Sequence, residues 1–200
     1  MNTFTKIAIA TFAMVGVASA QPKTEPKAPA DVKAKVEPKI DPKAAKPEAM
    51  KPPAELEAMG KAVVGTWKCT GTEMGMDGST GKIAGTVKAK VELDKWWIAD
   101  TIEMKGARTF KMLAFTTFEP NSKKWRRVSV DNAGHQYVGT SDGMKDNKVD
   151  WNMDFIGSMG AGQMRDHIDM TDPKNMKNWG EISMDKGKTW VKIFEMTCKK

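Results

Sequence analysis

Cysteine, histidine and tyrosine are scarce in this chain of 200 residues, with two, two and one respectively. The two cysteines and two histidines stand far apart, with neither C-x-x-C nor H-x-x-x-H spacing, which excludes the usual zinc arrangements. No apolar run reaches the roughly 20 residues that a bilayer-spanning helix needs, so no stable membrane span is expected. There is no G-x-S-x-G and therefore no nucleophile elbow. Gly187-Lys188-Thr189 imitates the end of a phosphate-binding loop, but Ile182 occupies the place of the first glycine. The run 157–162, Gly-Ser-Met-Gly-Ala-Gly, lacks dinucleotide-binding spacing and is read as a turn that can flank a binding mouth. With no acid, base and nucleophile legible in the spacing, an enzyme is not expected, nor is a cofactor or a metal.

Proline is nearly missing after residue 53: eight of the ten lie between Gln21 and Ala54. Before them come Lys6, the apolar run Ile7 to Val17, and Ala18-Ser19-Ala20, the layout of a signal peptide over residues 1–20. Residues 21–54 are rich in Pro, Lys and Ala, with near-repeats such as Glu25-Pro26-Lys27 and Glu37-Pro38-Lys39. Such a segment buries too little apolar surface to offset its ordering entropy and is expected to be a disordered linker, able to meet the cell envelope. Residues 55–200 are the expected folded domain. An exported chain places Cys69 and Cys198 in an oxidising compartment, where they are expected to pair, the alternative being two free buried thiols. The expected location is the periplasm or the exterior of a bacterial cell.

The formal charge of +7 is partly carried by the linker, which holds eight lysines against five acidic residues. Lys123, Lys124, Trp125, Arg126 and Arg127 form the densest basic cluster, but strand parity divides it between two faces, so nucleic acid is not an expected partner.

Leu56, Met59, Val63 and Val64 recur at helical spacing and predict a short N-terminal helix. Beyond Gly65 the period falls to two. Ile83, Gly85, Val87, Ala89, Val91 and Leu93 alternate with polar residues up to Asp94, and Val149, Trp151, Met153 and Phe155 do the same. Further strands are predicted over 66–74, 97–105, 109–118, 125–131, 135–140, 163–170, 178–185 and 189–198. Asp77-Gly78, Pro120-Asn121, Asn132-Ala133-Gly134, Asp142-Gly143 and Asp185-Lys186-Gly187 punctuate them as turns. The fold class is all-β: an antiparallel up-and-down β-barrel of about ten strands with a short N-terminal helix, closed because closure removes the sheet edges. A two-sheet sandwich is the alternative.

Gly65-Thr66-Trp67, opening the first strand after a helix, resembles the G-x-W signature of calycin (lipocalin-like) barrels. Leu113-Ala114-Phe115-Thr116-Thr117-Phe118-Glu119, Lys123-Lys124-Trp125, Val130-Asp131-Asn132-Ala133-Gly134 and Val138-Gly139-Thr140-Ser141-Asp142-Gly143 follow in an order similar to that of the bacterial domain-of-unknown-function family 1579. The resemblance covers about residues 60–198 and implies a calycin-like barrel and export, but no substrate. Two features depart from true lipocalins: a T-D-Y turn motif is lacking, and the last strand offers Lys192 where an Arg commonly packs on the first-strand Trp.

His167 shares a strand face with Gln163, Arg165 and Asp169, the polar side, and is read as an exposed or ion-paired histidine without haem. Twelve of the sixteen methionines follow residue 60 at scattered positions, which fits core filling better than copper binding. Arg126 shares a face with Val128 and Val130. Its bland role is in a solvated turn, and its sharper one is to point inward near the barrel mouth and anchor an acidic head group. The expected lumen lining is Trp67, Met112, Tyr137, Trp151, Met153 and Phe155. The first functional expectation is thus a monomeric, exported, non-enzymatic binding module for a small apolar or amphipathic ligand. The second is a structural or interaction protein of the cell envelope with a filled barrel.

Overall fold

The structure, a computed structural model, describes residues 50–75 and 77–200, so the expected signal peptide, nearly all of the expected linker and Met76 lie outside the described residues. Helix α1 spans Ala54–Val63. Ten strands follow: β1 Gly65–Met74, β2 Thr80–Glu92, β3 Trp97–Lys105, β4 Thr109–Glu119, β5 Lys124–Asp131, β6 Gln136–Ser141, β7 Lys148–Gly157, β8 Gly160–Asp172, β9 Asn175–Ser183 and β10 Val191–Lys199. Each pairs antiparallel with its neighbour in sequence, and β1 pairs with β10, which closes the barrel and rules out the sandwich.

Period-two alternation carries the architecture most clearly in β7, where Val149, Trp151, Met153 and Phe155 are buried while Asp150, Asn152, Asp154 and Ile156 are exposed. In β2 the predicted strand runs to Asp94, but pairing stops at Glu92. Leu93, Asp94 and Lys95 all have left-handed backbone, with φ of 50°, 54° and 70°, and make the turn instead. At Gly134, with φ of 80°, the predicted Asn-Ala-Gly turn receives the residue such a conformation favours.

Cys69 and Cys198 face each other directly in the β1–β10 register and form a disulfide. The bond fastens the seam where the sheet closes. By joining residues 129 positions apart it contributes about 4–5 kcal/mol in the chain-entropy picture.

In an up-and-down barrel alternate turns collect at opposite ends. Helix α1 lies at the end where β1 begins and packs against β2, β3 and β4. Its Leu56 and Met59 join Ile98, Trp125 and Trp151 in the core. Trp67 fixes the helix to the barrel, since its indole N–H donates to the Val63 carbonyl at 2.8 Å, one of the carbonyls that a helix C-terminus leaves unpaired. The cation above Trp67 is Lys200, with Nζ 4.8 Å from the ring centroid, whereas Lys192 pairs with Glu195. Among the described residues no helix is long and apolar enough to cross a membrane.

Candidate functional site

The opposite end, formed by the β1–β2, β3–β4, β5–β6, β7–β8 and β9–β10 turns, opens into the interior. A cavity of about 330 Å³ descends from rim residues Glu73, Arg108 and Met159 between walls that include Phe110, Met112, Met153, Phe155 and Phe194. That volume falls within the range of small-molecule sites. Gly180 makes room for one wall, because a Cβ there would lie 2.3 Å from the Phe194 ring. A second cavity of about 70 Å³ lies towards α1, lined by Met59, Trp67, Asp100, Thr116 and Trp151 among others.

The predicted lining residues divide between these spaces. Met112, Tyr137, Met153 and Phe155 line the larger cavity, and Trp67 and Trp151 line the smaller. Arg126 lines neither, which corrects the expectation that it points inward. It lies on the outer face, its side chain 59% exposed and its Nε 3.0 Å from Glu119 Oε2. The two valines suggested that its face is the inner one, yet Trp125, only 5% exposed, takes its own side of β5 into the core and carries Arg127 and Ser129 with it. Val128 and Val130 remain outside, beside Leu113 and Phe115 across the β4–β5 ladder. His167 lies on the outer face as expected, with Nδ1 2.6 Å from Asp150 Oδ1 and its ring stacked on Trp179.

Arg127 is the centre of a polar band across the interior. Its guanidinium donates to Asp166 Oδ2 at 3.1 Å and to Thr116 Oγ1 at 3.2 Å, stands 3.7 Å from Asp100 Oδ2, and lies 4.3 Å above the Trp151 ring. Asn178 Nδ2 donates to the other Asp166 oxygen. Burial pushes both carboxyls above the ordinary range, against the pull of Arg127, and the neighbouring Asp166 charge raises Asp100 further. Arg127, Asp166 and Asn178 face the larger cavity, while Asp100 and Thr116 face the smaller, so the band lies between the two.

A second polar group lies at the rim. Asp131 Oδ1 accepts the backbone N–H groups of Ala133 and His135, and Oδ2 accepts from His135 Nδ1 at 2.9 Å and from the Tyr137 hydroxyl at 3.0 Å. Burial alone would raise the Asp131 carboxyl, but these hydrogen bonds together outweigh it and hold it below its usual value. The same burial and the neighbouring carboxylate push the Tyr137 hydroxyl up. In the neutral imidazole whose Nδ1–H donates to the Asp131 carboxylate, His135 Nε2 is the acceptor for Ser158 Oγ, 3.2 Å away on the β7–β8 turn.

Sequence reasoning missed Asp100, Arg127, Asp131, His135, Ser158, Asp166 and Asn178. One signal was available for the band: Asp100 interrupts the inward face of Ile98, Ile102 and Met104, and Asp166 that of Met164, Ile168 and Met170. A lone charge on an apolar strand face needs a buried partner.

Fold and site together define a closed ten-stranded antiparallel barrel with an internal cavity, open at the end away from α1. The chain belongs to the family described as Protein of unknown function (DUF1579), whose model matches residues 52–200. Among solved structures it is similar to Rv2717c from M. tuberculosis, with TM-score 0.58, 9% identity, and coverage of 75% of this chain and 99% of that one. It is also similar to the S-type phycobiliprotein lyase CPES from Guillardia theta, with TM-score 0.52, 10% identity, and coverage of 72% and 92%. At these identities the likeness is one of fold. No curated protein matches the sequence.

Proposed function

We propose that the barrel is an exported module that binds a small apolar or amphipathic ligand in its larger cavity, with Met112, Tyr137, Met153 and Phe155 as contact residues. The cavity of about 330 Å³ carries this reading, since a barrel acting only as a structural part has no need of an unfilled apolar interior reached from one rim. The Cys69–Cys198 disulfide supports the exported half, because such bonds persist in oxidising compartments. Residues 1–20 would then be the leader and residues 21–54 the tether to the envelope. The test is titration with Nile red, a neutral amphiphilic dye. Saturable binding of one dye per chain, lost in Met112→Trp as the cavity fills, is expected. No binding, or binding unchanged in that variant, overturns the reading.

A second reading rests on the line Asp131, His135, Ser158, which follows the order of orienting acid, base and nucleophile. In ester hydrolysis Ser158 Oγ would attack the carbonyl carbon while His135 Nε2 takes its proton and passes it to the departing alcohol. Water would then cleave the acyl-serine by the same route, restoring the hydroxyl and releasing the acid. Nitrophenyl butyrate provides the assay. Saturable turnover that falls at least about 100-fold in Ser158→Ala supports this reading, and release no faster than in buffer removes it.

A further inference from the structure

We propose that the larger cavity selects amphipathic amines, with the tail among the aromatic and methionine walls and the ammonium head held by Asp166. This rests on the cavity-binding reading above and names its ligand class. The argument is one of charge. Two carboxylates, Asp100 and Asp166, flank one guanidinium, so the band is one positive charge short when both are ionised. Asp166, which lines the larger cavity, uses its two oxygens for Arg127 and Asn178, one contact each, so each oxygen keeps acceptor capacity. The Asp100 side chain is paired with Arg127 at 3.7 Å and makes no hydrogen bond among the described residues. The second carboxylate charge is thus unmatched within the barrel, which is costly unless another molecule completes it.

An ammonium supplies the missing charge and donors together, and thioether and aromatic walls suit a cation better than they suit an anion. A carboxylate head is disfavoured on the same ground, because Arg127 already faces two negative groups. Besides these, the charged or titratable groups facing the cavity are Asp131, His135 and Tyr137 on its wall and Glu73 and Arg108 at its rim, while His167, on the Asp166 strand, faces outward. Burial raises both carboxyls, and an ammonium, like Arg127, favours their ionised form.

The experiment is calorimetric titration of the folded protein with octylammonium, octanol and octanoate, probes of one chain length. Octylammonium is expected to bind at least about 10-fold tighter than octanol, a difference of about 1.4 kcal/mol, with octanoate weakest. Asp166→Asn is expected to reduce the amine preference to under about 2-fold while octanol affinity is kept. Should that variant fail to fold, Asp100→Asn is measured in the same way. Octanol binding as tightly as octylammonium to the wild type, or a preference retained in the variants, overturns the amine proposal and leaves the cavity reading standing. Binding of none of the three overturns both.

Discussion

The two ends of the barrel are held by different forces. At the helix end, Leu56 and Met59 lie over Ile98, Trp125 and Trp151, and the interior below them narrows to about 70 Å³. At the mouth no helix among the described residues covers the opening, and the turns are fastened by carboxylates accepting from their own loops. Asp77 accepts from Ser79, Asp131 from Ala133, His135 and Tyr137, and Asp185 from Ser183, Lys188 and Thr189. Carboxylate-fastened turns occur at the helix end too, as at Asp172, which accepts from Lys174 and Asn175. What distinguishes that end is the apolar lid laid over it. Burial of apolar area stabilises through bulk packing and closes space, whereas loop hydrogen bonds fix a rim while leaving the space beneath it accessible. The division places stability at one end and access at the other.

The largest expected effect comes from removing the lid's anchor. Leu56 is 3% exposed, and Leu56→Ala is expected to cost about 2–5 kcal/mol by lost burial and a residual cavity. Met159, 45% exposed on the rim, should give a change within about 0.5 kcal/mol as Met159→Ala. Urea unfolding followed by tryptophan fluorescence measures both. Comparable losses for the two variants would break the contrast between the ends.

Much of this arrangement is legible in the sequence, and what is not has a physical reason. The alternation in β7 is unbroken because every inward residue is large and apolar and four of the five outward ones are polar, so periodicity and burial agree. The turns at Asp77-Gly78, Asn132-Ala133-Gly134 and Asp185-Lys186-Gly187 fall where predicted, since left-handed backbone demands particular residues. The pairing of Cys69 with Cys198 follows from two cysteines and a closed sheet. β5 is the strand that misleads: both of its faces mix apolar and cationic residues, so parity alone gives no direction. Only the bulk of Trp125, set against two valines, decides that Arg127 enters and Arg126 stays out. The polar band eludes any local reading for a different reason. Asp100, Arg127, Asp166 and Asn178 come from four strands, β3, β5, β8 and β9, brought together by barrel closure and by no spacing rule. The rim line of Asp131, His135 and Ser158 is similarly assembled, from one hairpin and the tip of another.

The smallest expected effect is confined to acid and sharpens the same contrast. Asp185 accepts hydrogen bonds from the Ser183 and Thr189 hydroxyls and from the backbone N–H groups of Lys188 and Thr189, and these hold its carboxyl down at about 2. The unfolded chain protonates the same group near the ordinary aspartate value of 3.8. A carboxyl whose folded value is depressed binds fewer protons in the folded state, so its contribution is complete above the unfolded value and fades as pH falls from there towards 2. Asp185 is partly exposed on the rim, where solvent screens its interactions, so the expected change is a modest fall in melting temperature across that window, smaller in Asp185→Asn, which has no charge to lose. Nuclear magnetic resonance titration of the Asp185 side-chain carbon should give a midpoint near 2, and the Gly187, Lys188 and Thr189 amides should shift with it while those of Leu56 and Met59 hold still. An Asp185 midpoint at an ordinary carboxylate value would mean that the rim turn is not fastened in this way. Movement of the helix amides in step with the rim would mean that the two ends of the barrel respond to acid as one.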